Sequence, residues 1–475
     1  MKAVELQNLS FSYEGSNSKT LSNASFFLEY GQLALLCGDS GQGKSTVISI
    51  ISGIIPNLIP GDLSGNVLID GLSIEGKSLS SVCRKVGIVL QNADAQIIHQ
   101  SVEDEIAFGC ENFNFPAERI SSCIDNSCTL MSLNKEWNTR SLSGGQKQRL
   151  VTASTLATGQ KILILDEPLA NLDREGTCLL MKTLHKLSRE GYAVLVVEHR
   201  LESVLDYADT VWRIENGKLI NIKDSDSLEK LHSETIINHV LFPKSDGFKK
   251  STVFEISNLS FSVRDRTILK NLNFNVQKGE RLLLLGENGC GKTTLLRLLA
   301  RLLKPAQGKI IQNINPALGQ KTKGSREWFR HVGVIYQNPN YQLFMPSVRQ
   351  EISFGADSDE TAEEIMELFG LSFLADRHPH SLSEGQKRRV SIAAVAASKP
   401  DVILLDEPTV GQDFEALEIL VNVLNRLHFE NGNTMITVTH DRRCAFALCD
   451  RCLILEAGEI IDSGGRELAR EYIHS

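Results

Sequence analysis

The chain repeats itself, and that duplication limits what it can fold into more than any other feature. Asn8-Leu9-Ser10-Phe11-Ser12 returns 250 residues later as Asn258-Leu259-Ser260-Phe261-Ser262. Gln91-Asn92 returns after 246 residues as Gln337-Asn338, and Leu142-Ser143 after 240 as Leu382-Ser383. Asp166-Glu167-Pro168 returns after 240 residues as Asp406-Glu407-Pro408, and His199 after 241 as His440. A repeating domain of about 225 residues is far too long for a solenoid. Two copies of one domain are predicted, 1–225 and 252–475, joined by a linker at 226–251. The charged stretch 224–250 suits a junction, with a helical-looking piece at 228–241 and a hinge at Pro243-Lys244-Ser245-Asp246-Gly247. The step in offset from 246 to 240 makes the second copy six residues shorter between the glutamine and the serine. The helical-looking 102–108 in that region places the deletion in surface helices.

Within each half, short apolar runs alternate with amphipathic stretches. Leu33-Ala34-Leu35-Leu36-Cys37 leads into a glycine loop, Ile162-Leu163-Ile164-Leu165 into Asp166, and Ala193-Val194-Leu195-Val196-Val197 towards His199. Uninterrupted apolar runs of this length suit strands covered on both faces of a mainly parallel sheet, so the predicted class is α/β. A content of 42% hydrophobic and 23% charged residues supplies two cores and excludes a disordered or fibrous chain. Lys and Arg number 50 against 58 Asp and Glu, a net charge of −8, the wrong sign for coating nucleic acid; no nucleic-acid partner is expected. No run reaches the roughly 18 apolar residues of a membrane span. The best, 47–59, is broken by Ser49, Ser52, Gly53, Pro56 and Asn57. Met1-Lys2-Ala3-Val4-Glu5 has no secretory apolar core, so a cytosolic chain is expected unless something carries it to a membrane. The ten cysteines are scattered, with one CxxC pair at Cys449 and Cys452, which favours buried reduced thiols over a metal site.

The repeated motifs carry chemistry. Gly38-Asp39-Ser40-Gly41-Gln42-Gly43-Lys44-Ser45-Thr46 and Gly286-Glu287-Asn288-Gly289-Cys290-Gly291-Lys292-Thr293-Thr294 both fit G-x-x-x-x-G-K-[ST]. The glycines let backbone N–H groups curl around phosphate, and the next helix adds its N-terminal dipole. Lys44 and Lys292 supply a charge to the β- and γ-phosphates, and Ser45 and Thr293 a hydroxyl to Mg²⁺. Asp166-Glu167 and Asp406-Glu407 close apolar strands. A buried acid there is costly without a nearby cation. Mg²⁺ held partly through Asp166 or Asp406 resolves that cost and leaves Glu167 and Glu407 to face an attacking water. The competing reading is structural, because Asp-Glu-Pro also opens helices well.

A phosphate loop, a glutamine after an apolar strand, Leu-Ser-Gly-Gly-Gln, Asp-Glu-Pro, a further Asp and a strand-end His form, in this order, a set that resembles the nucleotide-binding domains of ABC transporters. Both halves carry it. The resemblance implies two P-loop ATPase domains, each with a mainly parallel core, an antiparallel β part and a helical subdomain bearing the signature. It implies that Gln91 and Gln337 touch Mg²⁺ and water and sense a membrane subunit. Ser143, Gly144, Gly145 and Gln146, and Ser383, Gly385 and Gln386, are then signature residues reaching the γ-phosphate on the opposite domain. Asp173 and Asp413 connect the two sites, and His199 and His440 contact the γ-phosphate. In this family ATP joins two domains, so an intramolecular pairing of the halves is implied.

Val89-Leu90-Gln91-Asn92-Ala93-Asp94-Ala95-Gln96 and Ile335-Tyr336-Gln337-Asn338-Pro339-Asn340-Tyr341-Gln342 resemble the Q-N-P-D-x-Q pattern of energy-coupling-factor (ECF) ATPases, with Ala93 in place of proline and Asn340 in place of aspartate. The runs 101–109 and 347–355 look like that group too. This branch implies a peripheral subunit on the cytoplasmic face of the membrane. Its partners are a transmembrane coupling subunit and a small substrate-capture membrane protein, with a vitamin, vitamin precursor or metal ion as cargo. Two alternatives stand beside it. Tandem ATPases of sugar importers are of similar length, but their second signature departs further than Leu382-Ser383-Glu384-Gly385-Gln386. Soluble tandem proteins acting on ribosomes carry longer charged linkers. Two departures mark the second half. Tyr13 fits the family's adenine-stacking aromatic, whereas Val263 stands at the matching position. Glu384 replaces a signature glycine and is expected to point away from phosphate.

Overall fold

The computed structural model describes residues 1–475 apart from 17, 40, 171, 200, 223–250, 265, 316–323, 411–413, 440, 442–443 and 475. The chain divides into two compact units, Met1–Thr235 and Ile236–Ser475. The helical-looking piece and the hinge expected near this division lie outside the described residues.

In the first unit the apolar runs become neighbouring strands of one sheet, in the order Lys218–Ile222, Thr210–Glu215, Leu33–Cys37, Ala193–Val197, Ile162–Asp166, Val86–Val89. Only the first pair is antiparallel. Every residue of Leu33–Cys37, Ile162–Asp166 and Ala193–Val197 is buried. Their alternate side chains serve two cores. Ala34, Leu36, Ile164 and Leu195 pack with Val47 and Ile51 of the helix Lys44–Ile51 and with Phe11 and Phe26. Leu35, Leu163, Leu165 and Val196 pack with Leu150, Leu180 and Leu184 on the other face. Full burial of each such side chain contributes about 1.5–3 kcal/mol, which is why the runs are uninterrupted. Phe11 and Phe26 come from a second, antiparallel sheet of Leu21–Glu29, Lys2–Tyr13, Gly61–Ile69 and Leu72–Ser73.

The second unit repeats the plan. Its main sheet runs Val332–Ile335, Val402–Asp406, Thr434–Val438, Arg281–Leu285, Arg451–Glu456, Glu459–Gly465, antiparallel only at the last pair. Arg266–Gln277, Thr252–Val263 and Gln307–Gln312 form its antiparallel sheet. Helices Val102–Asn112, Ala117–Leu130 and Gly144–Ala157 pack together in the first unit, and Val348–Ser353, Asp359–Leu368 and Glu384–Ala397 in the second. The deletion falls in the region of the first two helices of each trio, which hold 11 and 14 residues in the first unit and 6 and 10 in the second, with part of that difference taken up in the connections. The signature helix keeps 14 residues in both.

Candidate functional site

Strand direction builds the site. Leu33–Cys37, Ala193–Val197, Ile162–Asp166 and Val86–Val89 lie side by side and end at one edge of the sheet. Ligands of parallel sheets bind at that edge, where the chain leaves the strands. The four strands lead, in that order, into the glycine loop, His199, Glu167 and Gln91. Residues scattered over more than 160 positions thus meet because their strands are neighbours.

The loop leaves its strand tightly. Gly38 has φ 145° and Gly286 φ 141°. A Cβ would stand 2.7 Å from the Ile214 carbonyl oxygen at Gly38, and 2.2 Å from that of Leu455 at Gly286. Only glycine fits there. Lys44 Nζ donates to the carbonyls of Gly38 (2.7 Å) and Asp39 (2.8 Å), and Lys292 Nζ to those of Gly286 (2.7 Å) and Glu287 (2.8 Å). Each ammonium is thereby held inside its own loop. The position between the last glycines differs. Gln42 Oε1 accepts from the Asn216 N–H at 3.1 Å. Cys290 is buried among Leu295 and Leu296, its thiol pushed up by burial.

Asp166 Oδ2 accepts from Ser45 Oγ at 3.4 Å, and Asp406 Oδ1 from Thr293 Oγ1 at 3.0 Å. Burial, and then the charge of Glu167, push Asp166 up to about 7. Burial also raises Asp406, against the Thr293 hydroxyl and the charges of Arg297, Lys292 and Arg388. Glu167 and Glu407 sit in the left-handed region, with φ 48° and 50°. Their N–H groups are pinned to the Val197 and Val438 carbonyls, each at 2.9 Å. Such strain costs about 1–3 kcal/mol per residue and gathers at functional sites. Asp-Glu-Pro opens no helix here. The next helix, Arg174–Arg189, is capped by Asp173, whose Oδ1 accepts from the Gly176 N–H at 2.8 Å.

Three strand ends converge on Glu167. Its Oε1 lies 3.0 Å from His199 Nε2, and its Oε2 accepts from Gln91 Nε2 at 2.7 Å. Burial works to raise its pKa, yet the His199 bond, the charges of His199 and Lys44 and the Gln91 bond together hold it below the usual carboxylate range. In the second unit Gln337 is exposed, and its carbonyl accepts from Arg388 Nη2 at 2.8 Å. Ser40, Asp413 and His440 lie outside the described residues.

Ser143 and Ser383 cap the signature helices. Each hydroxyl accepts from the N–H of Gln146 or Gln386 (3.3 Å in both), and those side chains accept from the serine N–H at 2.9 and 3.1 Å. Glu384 turns along its own helix to Lys387, at 2.8 Å. Tyr13 is partly exposed, with its hydroxyl 2.8 Å from Thr46 Oγ1, while Val263 is half exposed.

Glu198 and the backbone contacts of several motif residues were not foreseen from the sequence. Glu198 is buried; it accepts from the Leu169 N–H (2.8 Å) and the His199 N–H (3.0 Å), fixing the turn after Asp-Glu-Pro and the histidine together. An acid closing an apolar strand was the available signal. Thr439 stands at the matching place, 2.8 Å from Thr409 Oγ1. Gln96 Oε1 accepts from the Leu90 N–H (2.7 Å) and Gln342 Oε1 from the Tyr336 N–H (2.9 Å), so the last glutamine of each glutamine loop folds it back on its start. The buried carboxylates of Glu105 and Glu351 each accept two backbone N–H groups just beyond, from Ile98 and His99 and from Phe344 and Met345.

Among the described residues no three His, Cys, Asp or Glu side chains are placed to hold a metal by themselves. The pairs Ser45 with Asp166 and Thr293 with Asp406 offer a hydroxyl and a carboxylate. Mg²⁺ suits that set, using one or two carboxylates with phosphate and water completing its shell. A carboxylate raised by burial is also one that a cation would relieve. The residues fit the ion.

A mainly parallel sheet whose strand ends present a glycine-lysine loop, an Asp-Glu pair and a glutamine defines a P-loop ATPase domain, present here twice, and in the first unit a histidine joins them. The ABC transporter family pattern matches residues 21–170 and 269–410. The chain is 32% identical to an ABC transporter ATP-binding protein of Treponema denticola, over 96% of each chain. It is also 32% identical to a Bacillus subtilis protein named for HMP/thiamine import, YkoD, covering 98% of this chain and 92% of that one. Among solved structures, an archaeal ribosome recycling factor, aABCE1, matches with a TM-score of 0.67 at 22% identity, over 98% of this chain and 92% of that one; this likeness is one of fold. The chain belongs to the ABC transporter family: it is an ATP-binding, ATP-hydrolysing subunit with two ATPase domains.

Proposed function

We propose that this ATPase is the energy-coupling subunit of an ECF-type importer, peripheral to the cytoplasmic face of the membrane. It would power uptake of a vitamin, vitamin precursor or metal ion through a transmembrane coupling subunit and a small capture protein. The observation that carries this reading is the glutamine loop, present in both halves with the Gln-Asn opening and closed by Gln96 and Gln342. The likeness to the Bacillus subtilis import protein supports it. So do the exposed apolar side chains just after each loop, Ile98 at 67%, Phe344 at 65% and Phe354 at 67%, which suit a helix of a membrane partner. No described helix is long and apolar enough to cross a membrane itself.

In this reading the domains are 1–225 and 252–475, and Lys44 and Lys292 bind the β- and γ-phosphates. Ser45, Asp166 and Gln91, with Thr293, Asp406 and Gln337 in the second half, would hold Mg²⁺, which when bound with ATP neutralises charge on the phosphates. Glu167 and Glu407 orient the attacking water and accept its proton, and His199 and His440 steady the γ-phosphate. Affinity purification of the chain from native membranes, followed by mass spectrometry, tests the reading. It predicts a multi-span coupling protein and a small membrane protein that binds a vitamin or metal ion. Sedimentation with ribosomes, or a partner set without a capture protein, would overturn it.

A further inference from the structure

Three matched positions change together between the halves, and all three lie where the glutamine loop meets the signature helix. Asp94 in the first half is Asn340 in the second, Gly144 is Glu384, and Gln148 is Arg388. In the first unit Lys147 of the signature helix forms an ion pair with Asp94, one turn beyond Gln91. That carboxylate is 64% exposed, so water and salt reach the pair. One residue on, Gln148 is fully buried, and neither amide atom meets a partner among the described residues.

In the second unit the matching lysine faces Asn340 in place of Asp94, and no carboxylate of the glutamine loop reaches it among the described residues. Lys387 pairs instead with Glu384 on its own helix, and Asn340 turns back to Asn338, its N–H and amide at 2.9 and 3.0 Å from Asn338 Oδ1. The tie passes to Arg388, which is 5% exposed. Its Nη2 donates to the Gln337 carbonyl at 2.8 Å, and its Nη1 to the Glu407 carbonyl. One planar side chain therefore spans the signature helix, the glutamine loop and the turn that carries the proposed catalytic glutamate. Two donor nitrogens held in one plane reach both carbonyls at once, whereas lysine and glutamine each offer a single donor nitrogen.

We propose that the two ATPase domains fasten the glutamine loop to the signature helix by different latches, an exposed salt-sensitive ion pair in the first and a buried guanidinium in the second, which makes Arg388 a positioning residue of the second site alone. The first loop is then released by salt, whereas the second is not. Arg388 acts on hydrolysis through the backbone of Gln337 and Glu407.

Amide exchange of the two glutamine loops, read by mass spectrometry on the full chain at about 0.05 and 0.5 M salt, tests this in wild type, Asp94→Asn, Arg388→Gln and Arg388→Lys. The first loop should exchange severalfold faster at high salt; Asp94→Asn should reach that rate at low salt and lose the dependence. The second loop should ignore salt, exchange faster in Arg388→Gln and respond partly in Arg388→Lys. In a Glu167→Gln background, where turnover comes from the second site, adding Arg388→Gln should lower kcat about tenfold, with KM for ATP within about twofold, because the phosphate contacts are untouched. Glutamine already occupies this place in the first half, so the fold accommodates it. Two results would overturn the proposal: a second loop whose exchange rises with salt as the first does, or one unchanged in Arg388→Gln with kcat intact.

Discussion

Glu167 shows how neighbouring acids are set apart for different work. Asp166, one residue away, is raised by burial towards the protonated form, whereas Glu167 is kept ionised by His199, Lys44 and Gln91 despite the same burial. An acid beside a loop hydroxyl then suits a cation, and an acid between a histidine and an amide suits a water. Residue types and spacing pointed to both roles. They did not reveal Glu198, nor what Gln96 and Glu105 of the motif runs hold, because these side chains bind backbone N–H groups whose positions exist only once the strands are ordered. The Tyr13 ring lies beside Thr46, next to the phosphate loop, and Val263 offers no comparable face. Base–aromatic stacking contributes about 1–3 kcal/mol. In a chain whose second loop is disabled by Lys292→Ala, Tyr13→Ala should weaken ATP binding by roughly 5–150-fold and Tyr13→Phe should not, as read by titration with a fluorescent ATP analogue.

The strand that feeds each phosphate loop shows how one element can be built from different chemistry. Leu33 opens it in the first unit, and its N–H donates to Asp209 at 2.8 Å, a carboxylate also held by surface Arg189. In the second unit the opening residue is Arg281, 1% exposed, which grips Asp450 through Nε (3.1 Å) and Nη2 (2.7 Å) and reaches Asn425 at 2.7 Å. Burial works to raise Asp450, but Arg281 and Arg466 hold it below the usual carboxylate range. Breaking a buried pair from one side costs about 3–5 kcal/mol, so Arg281→Leu should destabilise the second unit by that amount at pH 7 although leucine serves in the first. The depressed value means the pair stabilises above the ordinary carboxylate pKa of about 4 and fades as pH falls through the folded value. The difference between wild type and variant should therefore shrink below about pH 4. Urea unfolding read by exchange in Arg281–Leu285 measures both. The element itself was legible from its apolar run and the glycine loop behind it. The buried arginine was not, because its partners lie more than 140 positions away.

At the scale of the whole molecule, duplication gave the α/β class and the sheet plan of both units, because repeated apolar runs of strand length admit few other arrangements. The shorter second copy was legible as a change of offset, and its place in surface helices was expected; that both helices before the signature are shorter was visible only in the structure. Each unit carries its own cores and its own loop, carboxylates and signature helix, so neither is a degenerate copy. The halves nevertheless differ at Tyr13 and Val263, Gln148 and Arg388, and Glu198 and Thr439. In the function proposed here, Glu167 and Glu407 carry ATP hydrolysis while other groups bind the nucleotide. Glu167→Gln with Glu407→Gln keeps shape and removes charge. Steady-state hydrolysis and bound-nucleotide counts on the same purified chain test the claim. Turnover should fall by ~10²–10⁴-fold while ATP stays bound. Turnover close to wild type in the double variant would contradict it.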